Sequence, residues 1–288
     1  MSWGPLRRRR LLILSTALLL ILSGGLVKTV GYLAFSSKAV LVDAITCIAA
    51  ALGGFIALLA TRASLEPPDA DHPYGHERIA YGGSLGVIVV YSMAAGFSLA
   101  MLGAPEPYTV DWRASITALA GTALYLLAIL VTRLDPVAGS TLAIFTFSEV
   151  LEGLVSAAAA LAGSTVSYII DYAGGAVILA YLAFSLVAET RSIVTQLSDV
   201  AERSVIESAR KAFEERRFKV KSLRVRTVIP GKYHGDAVVE APCDMPLEVA
   251  NILVDEITDS LSRVNLDITV HIDKSVKCQD KVRSLSQV

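Results

Sequence analysis

Histidine and cysteine, which bind transition metals in many proteins, are scarce in this chain: its 288 residues include four histidines and three cysteines. Cys47, Cys243 and Cys278 have no CxxC spacing and no obvious pairing, so the sequence predicts neither a zinc finger nor a disulfide framework. Charged residues make up only 18% of the chain, against about 25% in soluble domains. The formal net charge of −1 argues against a surface for nucleic acid.

Long apolar runs dominate instead, with a hydrophobic fraction of 53% and a mean hydropathy of +0.56. A helix needs roughly 20 mostly apolar residues to cross a bilayer. The basic run before the first apolar stretch resembles a signal peptide, but the stretch continues through Lys28 without a convincing cleavage site, which favours a transmembrane helix. The sequence therefore predicts a polytopic α-helical membrane protein with six transmembrane helices, at about residues 11–33, 38–61, 79–103, 113–133, 139–163 and 166–188.

Most basic residues near the helix ends fall on one side of this predicted bundle. By the positive-inside rule that side is cytoplasmic. We therefore expect both termini on this side, as an even number of helices requires, together with the polar loop at 69–79. We expect the protein to lie in the plasma membrane. The basic residues on this side are Arg7 to Arg10, Arg62, Arg78 and Arg133, against Lys38 and Arg113 on the other.

The chain changes character after about residue 190, where charged residues become frequent. We expect residues 1–190 to form the transmembrane domain and residues 195–288 to form a cytoplasmic domain. In the second domain, residues 196–217 have helical periodicity, and two short strands lie on either side of Pro230-Gly231. An amphipathic helix and the alternating strand LDITVHID follow. The order αββαβ predicts a small α+β domain of the ferredoxin-like type.

Ionisable residues inside the predicted membrane helices are the first candidates for function, because such residues cost several kcal/mol in a bilayer. Asp43 and Cys47 lie one turn apart on the second helix. On the fifth helix, Glu149 and Glu152 can share a face, with Ser148 beside them. Side chains from two helices can enclose one cation. Polar packing contacts are the alternative: Lys28 can neutralise Asp43, Cys47 can be a small core residue, and Glu149 can reach the helix end.

The loop DADHPYGHERI holds a second group of candidate ligands. Asp69, His72 and His76 offer one carboxylate and two imidazoles within eight residues, a reasonable spacing for a metal site. Pro73 and Gly75 bend the chain, so the two histidines need not follow helical spacing. A solvated loop with ordinary surface histidines is the alternative.

Four segments together resemble the cation diffusion facilitator family, over nearly the whole chain. SSKAVLVDAI is similar to the start of that family's second helix, and PDADHPYGHERI resembles its loop motif PxDxxHPxGHxR. IIDYAGGAVILAYLAF resembles its sixth helix, and VHID resembles the end of its cytoplasmic domain. The loop motif is the most specific of the four.

The resemblance implies a homodimer in the lipid bilayer that exports divalent metal ions from the cytoplasm in exchange for protons, and no enzyme activity. A nucleophile–base pair, a phosphate loop and a catalytic histidine within the membrane are likewise not evident in the sequence. By position in the family, three metal sites and one ion pair are implied. They are a transport site at Asp43, Cys47, Ser148, Glu149 and Glu152, a loop site at Asp69, His72 and His76, a cytoplasmic site at His271 and Asp273 that His234 can approach, and a charge interlock between Arg78 and Asp199.

The transport site departs from the family pattern in two places. Cys47 stands where a second acid is usual, and the HxxxD positions hold Ser148 and Glu152, so the site has no histidine. An oxygen-rich site with one thiol fits manganese, iron, cobalt or zinc, whereas magnesium prefers to keep its waters. The cytoplasmic domain is expected to sense metal or to dimerise. A non-transporting metal sensor or scaffold with the same fold is the alternative function.

Overall fold

The computed structural model describes residues 5–104, 106–134 and 147–274. The chain forms two compact units that divide between Ile193 and Val194. This division lies close to the predicted boundary between residues 190 and 195. Each unit is described separately below.

The described residues of the first unit form helices joined by loops, with no strand among them. Its helices follow the apolar runs of the sequence, and most of their bounds lie within a few residues of the predicted ones. The exceptions are α1, which starts earlier than predicted, α5, which starts later, and α6, which ends later. They are α1 (Pro5–Phe35), α2 (Lys38–Ser64), α3 (Ile79–Leu102), α4 (Arg113–Thr132), α5 (Phe147–Thr165) and α6 (Tyr168–Leu197).

Five of these described helices, α1 to α4 and α6, are long and apolar enough to cross a membrane. The protein is therefore an integral membrane protein. The fifth predicted span corresponds to α5, whose predicted start at residue 139 lies outside the described residues. Glu149 and Glu152 lower the apolar character of α5, and its 19 residues rise about 28 Å along the helix axis. The sixth crossing that the sequence predicts there stays a prediction.

A two-residue turn makes α2 run back along α1. Ser36 has a positive φ of 59°, and Ser37 caps α2 by accepting a hydrogen bond from the backbone N–H of Val40 through its side chain. Such a cap satisfies one of the free N–H groups at the start of a helix, which matters most where water is scarce. In the bundle, α1 packs against α2 and α4, while α5 packs against α2 and α4. This arrangement brings α1, α2 and α5 together around one buried region.

The second unit has the predicted order αββαβ, with α7 (Arg203–Glu214), β1 (Lys219–Ile229), β2 (Lys232–Ala241), α8 (Leu247–Ser262) and β3 (Leu266–Lys274). The predicted helix at 196–217 was too long at its start, since α6 continues to Leu197. β1 pairs antiparallel with β2, and β2 pairs parallel with β3. Phe213, Ile257 and Leu266 are almost completely buried in the core between helices and sheet. The ferredoxin-like topology stays a prediction.

Cys243, in the turn after β2, is disulfide-bonded. The spacing of the three cysteines did not predict this bond.

Candidate metal centres

A buried ion pair joins α1 to α2. Lys28 Nζ lies 2.7 Å from Asp43 Oδ1, and the two side chains are 2% and 1% exposed. Because Lys28 and Asp43 lie at similar distances on either side of the turn at Ser36, the antiparallel helices place them at the same level. The other oxygen of Asp43 accepts a hydrogen bond from the hydroxyl of Ser156 on α5. Both oxygens of this carboxylate are therefore engaged, one by each neighbouring helix.

Two glycines make room for the Lys28 side chain. A Cβ atom on Gly121 of α4 would lie 2.8 Å from the carbonyl oxygen of Gly24 on α1 and 2.7 Å from Lys28 Cγ. Small residues commonly allow helix backbones to approach closely in membranes. The aliphatic part of Lys28 therefore lies in space that the side chain of a larger residue at position 121 would occupy. The ammonium group of Lys28 reaches Asp43.

The two carboxylates of α5 have different surroundings, although Glu149 and Glu152 are both 8% exposed. Glu149 Oε1 accepts a hydrogen bond of 2.9 Å from the hydroxyl of Tyr91 on α3. Glu152 Oε2 is buried and has no hydrogen-bond partner among the described residues. A buried oxygen without a partner is rare because it has lost its water without gaining a donor. Glu152 is therefore a candidate to bind a cation or a proton.

Cys47 packs in an apolar cluster that includes Ile21 and Tyr125, and it is 1% exposed. Its thiol donates a weak hydrogen bond to the carbonyl oxygen of Ile21, with 3.4 Å between sulfur and oxygen. A thiol in this position serves packing, and it becomes a ligand only when it gives up that contact. The ligand role of Cys47 stays a prediction.

Ser156 is a residue of this region that the sequence analysis missed. It is completely buried and lies one turn after Glu152 on α5, whereas the predicted Ser148 lies one turn before Glu152 and is half-buried. The hydroxyl that reaches Asp43 belongs to Ser156. The sequence signal was weak: a single serine in the run GLVSAAAA, at the same four-residue spacing from Glu152 as Ser148.

The predicted transport residues do not form one compact ligand set in this structure. Asp43, Glu149 and Glu152 are close enough to influence one another electrostatically. Among the described residues, however, the one group of three or more His, Cys, Asp or Glu side chains whose ligand atoms all lie within 4.8 Å is in the loop between α2 and α3. In the membrane region, Asp43 is paired with Lys28 and accepts a hydrogen bond from Ser156.

The loop group consists of the three predicted residues, Asp69, His72 and His76. His72 Nδ1 lies 3.3 Å from Asp69 Oδ1, and His76 Nε2 lies 3.4 Å from Asp69 Oδ2. Gly75, with a φ of +86°, allows the turn that brings the two imidazoles to ring centroids 4.1 Å apart. This geometry brings together the three side chains that the sequence analysis names as candidate ligands, and metal binding there stays a prediction.

Hydrogen bonds fix the orientation of Asp69 and His76 in the loop. The backbone N–H of His72 donates to Asp69 Oδ1 at 2.7 Å and is the main reason that the pKa of Asp69 lies below its usual value. His76 Nδ1 lies 3.1 Å from the carbonyl oxygen of Pro67. Because a carbonyl oxygen only accepts, Nδ1 carries a proton, and Nε2 is the ring nitrogen that faces Asp69.

The candidate ligands of the second unit are brought together only in part. His271 Nε2 lies 3.4 Å from Asp273 Oδ1, and both residues lie on β3. Lys221 Nζ lies 3.1 Å from Asp273 Oδ2, and this contact lowers the pKa of Asp273 and raises that of Lys221. His271 is paired in the sheet with Val238, four residues along β2 from His234. That separation is about 13 Å, so this structure does not bring His234 to the pair.

The predicted charge interlock involves one residue of each unit. Arg78 directly precedes α3, and Asp199 has a positive φ of 55° just after α6. Their pairing stays a prediction.

Buried carboxylates on two helices of a membrane protein, together with a convergent loop of aspartate and histidine, define a candidate cation carrier. A family profile described as the cation efflux transmembrane domain matches residues 12–198. The chain therefore belongs to the cation efflux, or cation diffusion facilitator, family, whose members transport metal cations. No curated protein sequence matches the chain.

Proposed function

We propose that the protein exports divalent transition-metal ions of the zinc, manganese, iron or cobalt class from the cytoplasm in exchange for protons. The proposal places it as a homodimer in the plasma membrane, with both termini cytoplasmic. The observation that carries it is the burial of three carboxylates, Asp43, Glu149 and Glu152, on two adjacent helices of a cation-transport domain. Ionisable residues in such positions are costly and mark ion pathways in membrane proteins.

The metal ion would bind between α2 and α5. Asp43 and Glu152 would supply carboxylate oxygens, with Ser156, Glu149, Ser148 or Cys47 completing the coordination. The buried and unpartnered Oε2 of Glu152 supports this placement. Carboxylate and hydroxyl oxygens with at most one thiol, and no imidazole, favour metals that accept oxygen ligands over those that need soft ligands.

Proton exchange follows from the same carboxylates. A carboxylate that binds a metal ion must be deprotonated, so protons and metal ions compete for these residues. When the site opens to the outside, protons that bind the carboxylates would displace the metal ion. When it opens to the cytoplasm, the protons leave and a new metal ion binds. An inward proton gradient would then drive export.

The cytoplasmic domain and the loop would regulate this cycle. Asp69, His72 and His76 would bind metal at the cytoplasmic end of α2, and His271 with Asp273 would bind it at the second unit. The exposure of His271, at 73% of its side chain, suits a site shared with another chain of the dimer. Metal binding there would tighten the dimer as cytoplasmic metal rises.

Metal flux into proteoliposomes under a pH gradient tests the proposal. We expect flux of one or two ions from the series zinc, manganese, iron(II), cobalt, cadmium and magnesium, rising with the gradient. Asp43→Ala and Glu152→Ala are expected to abolish it, and Glu106→Ala, an exposed loop carboxylate, is the matched control. Full activity in both site variants would reject the site. Absence of flux for every ion, with metal still bound by the protein, would favour the non-transporting sensor.

A further inference from the structure

The position of Lys28 has a consequence for how the transport site binds its cargo. Its ammonium group contacts the same carboxylate that the proposed function assigns to the metal ion. Asp43 has two oxygens, and both are engaged, Oδ1 by Lys28 and Oδ2 by Ser156. The lysine nitrogen lies 2.7 Å from Oδ1, so its charge repels a second cation at this oxygen and the two cations compete for the same carboxylate.

The surroundings of Lys28 are built to hold this side chain. Its whole side chain is buried, and the close approach of Gly24 and Gly121 leaves space for its stem. Lys38 provides a comparison within the same unit, because its ammonium group donates to the carbonyl oxygens of Met101 and Leu102 at the end of α3. That contact is an ordinary interaction of a cation with a helix C-terminus. Lys28 instead directs its charge at a buried carboxylate.

We propose that Lys28 is a tethered cation, whose ammonium group occupies the Asp43 side of the transport site and must be displaced when a divalent ion binds there. This inference rests on the proposed transport function. In the metal-free carrier the ammonium group neutralises Asp43, which would otherwise be an unpaired charge in the membrane. A lysine suits this exchange because its charge sits on a flexible four-carbon stem and makes single, point-like contacts.

Displacement lowers the apparent affinity for the metal. When only a fraction of the molecules have the lysine displaced, the apparent Kd rises by the inverse of that fraction, so a tenth displaced means about tenfold weaker binding. Weaker binding speeds release on the far side of the membrane. The return of Lys28 to Asp43 would also oppose rebinding of the ion that has just left.

An inert ion pair is the competing interpretation, in which Lys28 never leaves Asp43 and the metal uses other ligands. Two substitutions at position 28 separate the two interpretations. Lys28→Met keeps the stem and removes the charge. Lys28→Arg keeps the charge but holds the carboxylate more firmly, because a guanidinium group can donate two parallel hydrogen bonds. Displacement predicts a weaker metal site in the arginine variant, whereas an inert pair predicts no change.

The experiment is a Cd²⁺ titration by calorimetry on the full-length protein in detergent. All samples carry Asp69→Ala, His72→Ala, His76→Ala and His271→Ala, so that the remaining site is measured. We expect Lys28→Met to lower the Kd by about tenfold and Lys28→Arg to raise it. Lys38→Met, which removes a charge that does not contact Asp43, is the matched control and is expected to leave the Kd unchanged. Adding Glu152→Gln to Lys28→Met should abolish the gain.

Either substitution alone can overturn the inference, so it remains testable when one variant fails to give a single peak in size exclusion. A Kd of Lys28→Met equal to or above that of the parent protein would overturn it, and so would a Kd of Lys28→Arg equal to or below it. The flux assay on the protein with Lys28 intact is a separate test. If Lys28→Met binds Cd²⁺ more tightly but no ion is transported, the tethered cation stands and the transport function fails.

Discussion

Ser37, the cap of α2, donates its hydroxyl to Asp171 in the first turn of α6, 134 residues further along the chain. The same carboxylate accepts the backbone N–H of Lys38 at 2.7 Å and the hydroxyl of Tyr108 at 2.8 Å. Burial, followed by the hydrogen bond to Asp171, raises the pKa of Tyr108, which therefore remains a neutral donor. One buried aspartate thus ties together the beginnings of two helices and the loop between α3 and α4.

Asp171→Ala is expected to destabilise the transmembrane unit substantially. It leaves three donors without their acceptor, and each unsatisfied buried group costs about 1–3 kcal/mol. Tyr108→Phe removes only one of the three hydrogen bonds, so its effect should be smaller. The midpoint of thermal unfolding in detergent, followed by size exclusion with fluorescence detection, measures both. Equal midpoints for Asp171→Ala and the parent protein would contradict this role.

The glycine contact between α1 and α4 gives a second stability prediction. Gly121→Ala would place a Cβ atom 2.8 Å from the Gly24 carbonyl oxygen and against the Lys28 stem, so the helices must separate. Overpacking of this kind costs about 1–3 kcal/mol. Gly96→Ala on α3 is the matched control, because a Cβ atom there meets nothing within 4 Å. The unfolding midpoint should fall for Gly121→Ala and stay constant for Gly96→Ala. A fall for both variants would point to a general loss of helix flexibility.

The sequence predicted the helices well because apolar runs of spanning length leave little choice of structure in a membrane. It also predicted the loop group, since Asp69, His72 and His76 lie within eight residues and one turn brings them together. The sequence did not predict the contacts of Ser156 and Asp171. Their importance depends on Asp43 and Ser37, which are more than a hundred residues away, and on which face of each helix meets a neighbour. The Lys28–Asp43 pair was predicted only as an alternative. Opposite charges in two helices do not show how the helices are aligned along their axes, and that alignment decides whether the charges meet.

Tyr91 offers a test of how the carboxylates of the proposed transport site are positioned. Its hydroxyl, 2.9 Å from Glu149 Oε1, fixes one carboxylate of α5 from the neighbouring α3. Tyr91→Phe is expected to raise the KM for metal in the flux assay by about tenfold, with a smaller change in maximal rate, as is usual when a partner of a metal ligand is lost. Tyr181→Phe, on the more exposed α6, is the control. An unchanged KM would show that Glu149 does not depend on this contact.

Metal binding in the loop should depend on His76 and on pH. His76→Ala removes the imidazole whose Nε2 faces Asp69 at 3.4 Å, so Zn²⁺ binding by the loop is expected to be lost. Asp71→Ala, which removes a neighbouring exposed carboxylate outside the group, is the control and should bind normally. Calorimetry with Zn²⁺ on the protein carrying Glu152→Gln and His271→Ala measures the loop without the other two proposed metal sites.

The sign of the pH dependence follows from Asp69. Because its pKa is lowered, Asp69 is still deprotonated at a pH at which an ordinary aspartate begins to take up a proton. It becomes protonated only when the pH falls through the lowered pKa. Protons compete with a metal ion for this carboxylate, because a carboxylate binds a metal ion only in its deprotonated form. We expect the Zn²⁺ affinity of the loop to fall as the pH is lowered through the pKa of Asp69, and Asp69→Asn to be weaker than the parent protein throughout. Constant affinity as the pH falls through that value would exclude Asp69 as a ligand.

The predicted interlock between Arg78 and Asp199 can be tested by exchanging the two charges. Arg78→Asp places two acidic residues together if the predicted pair forms, and the repulsion between them should then reduce flux. Asp199 has a positive φ of 55°, which aspartate tolerates better than most residues, so Asp199→Arg carries some backbone cost of its own. Asp199→Asn, which keeps the conformation and removes the charge, is therefore the control for that position. Restored flux in the double variant Arg78→Asp with Asp199→Arg, compared with Arg78→Asp alone, would establish the pair. Absence of rescue, with Asp199→Asn fully active, would mean that the two charges act independently.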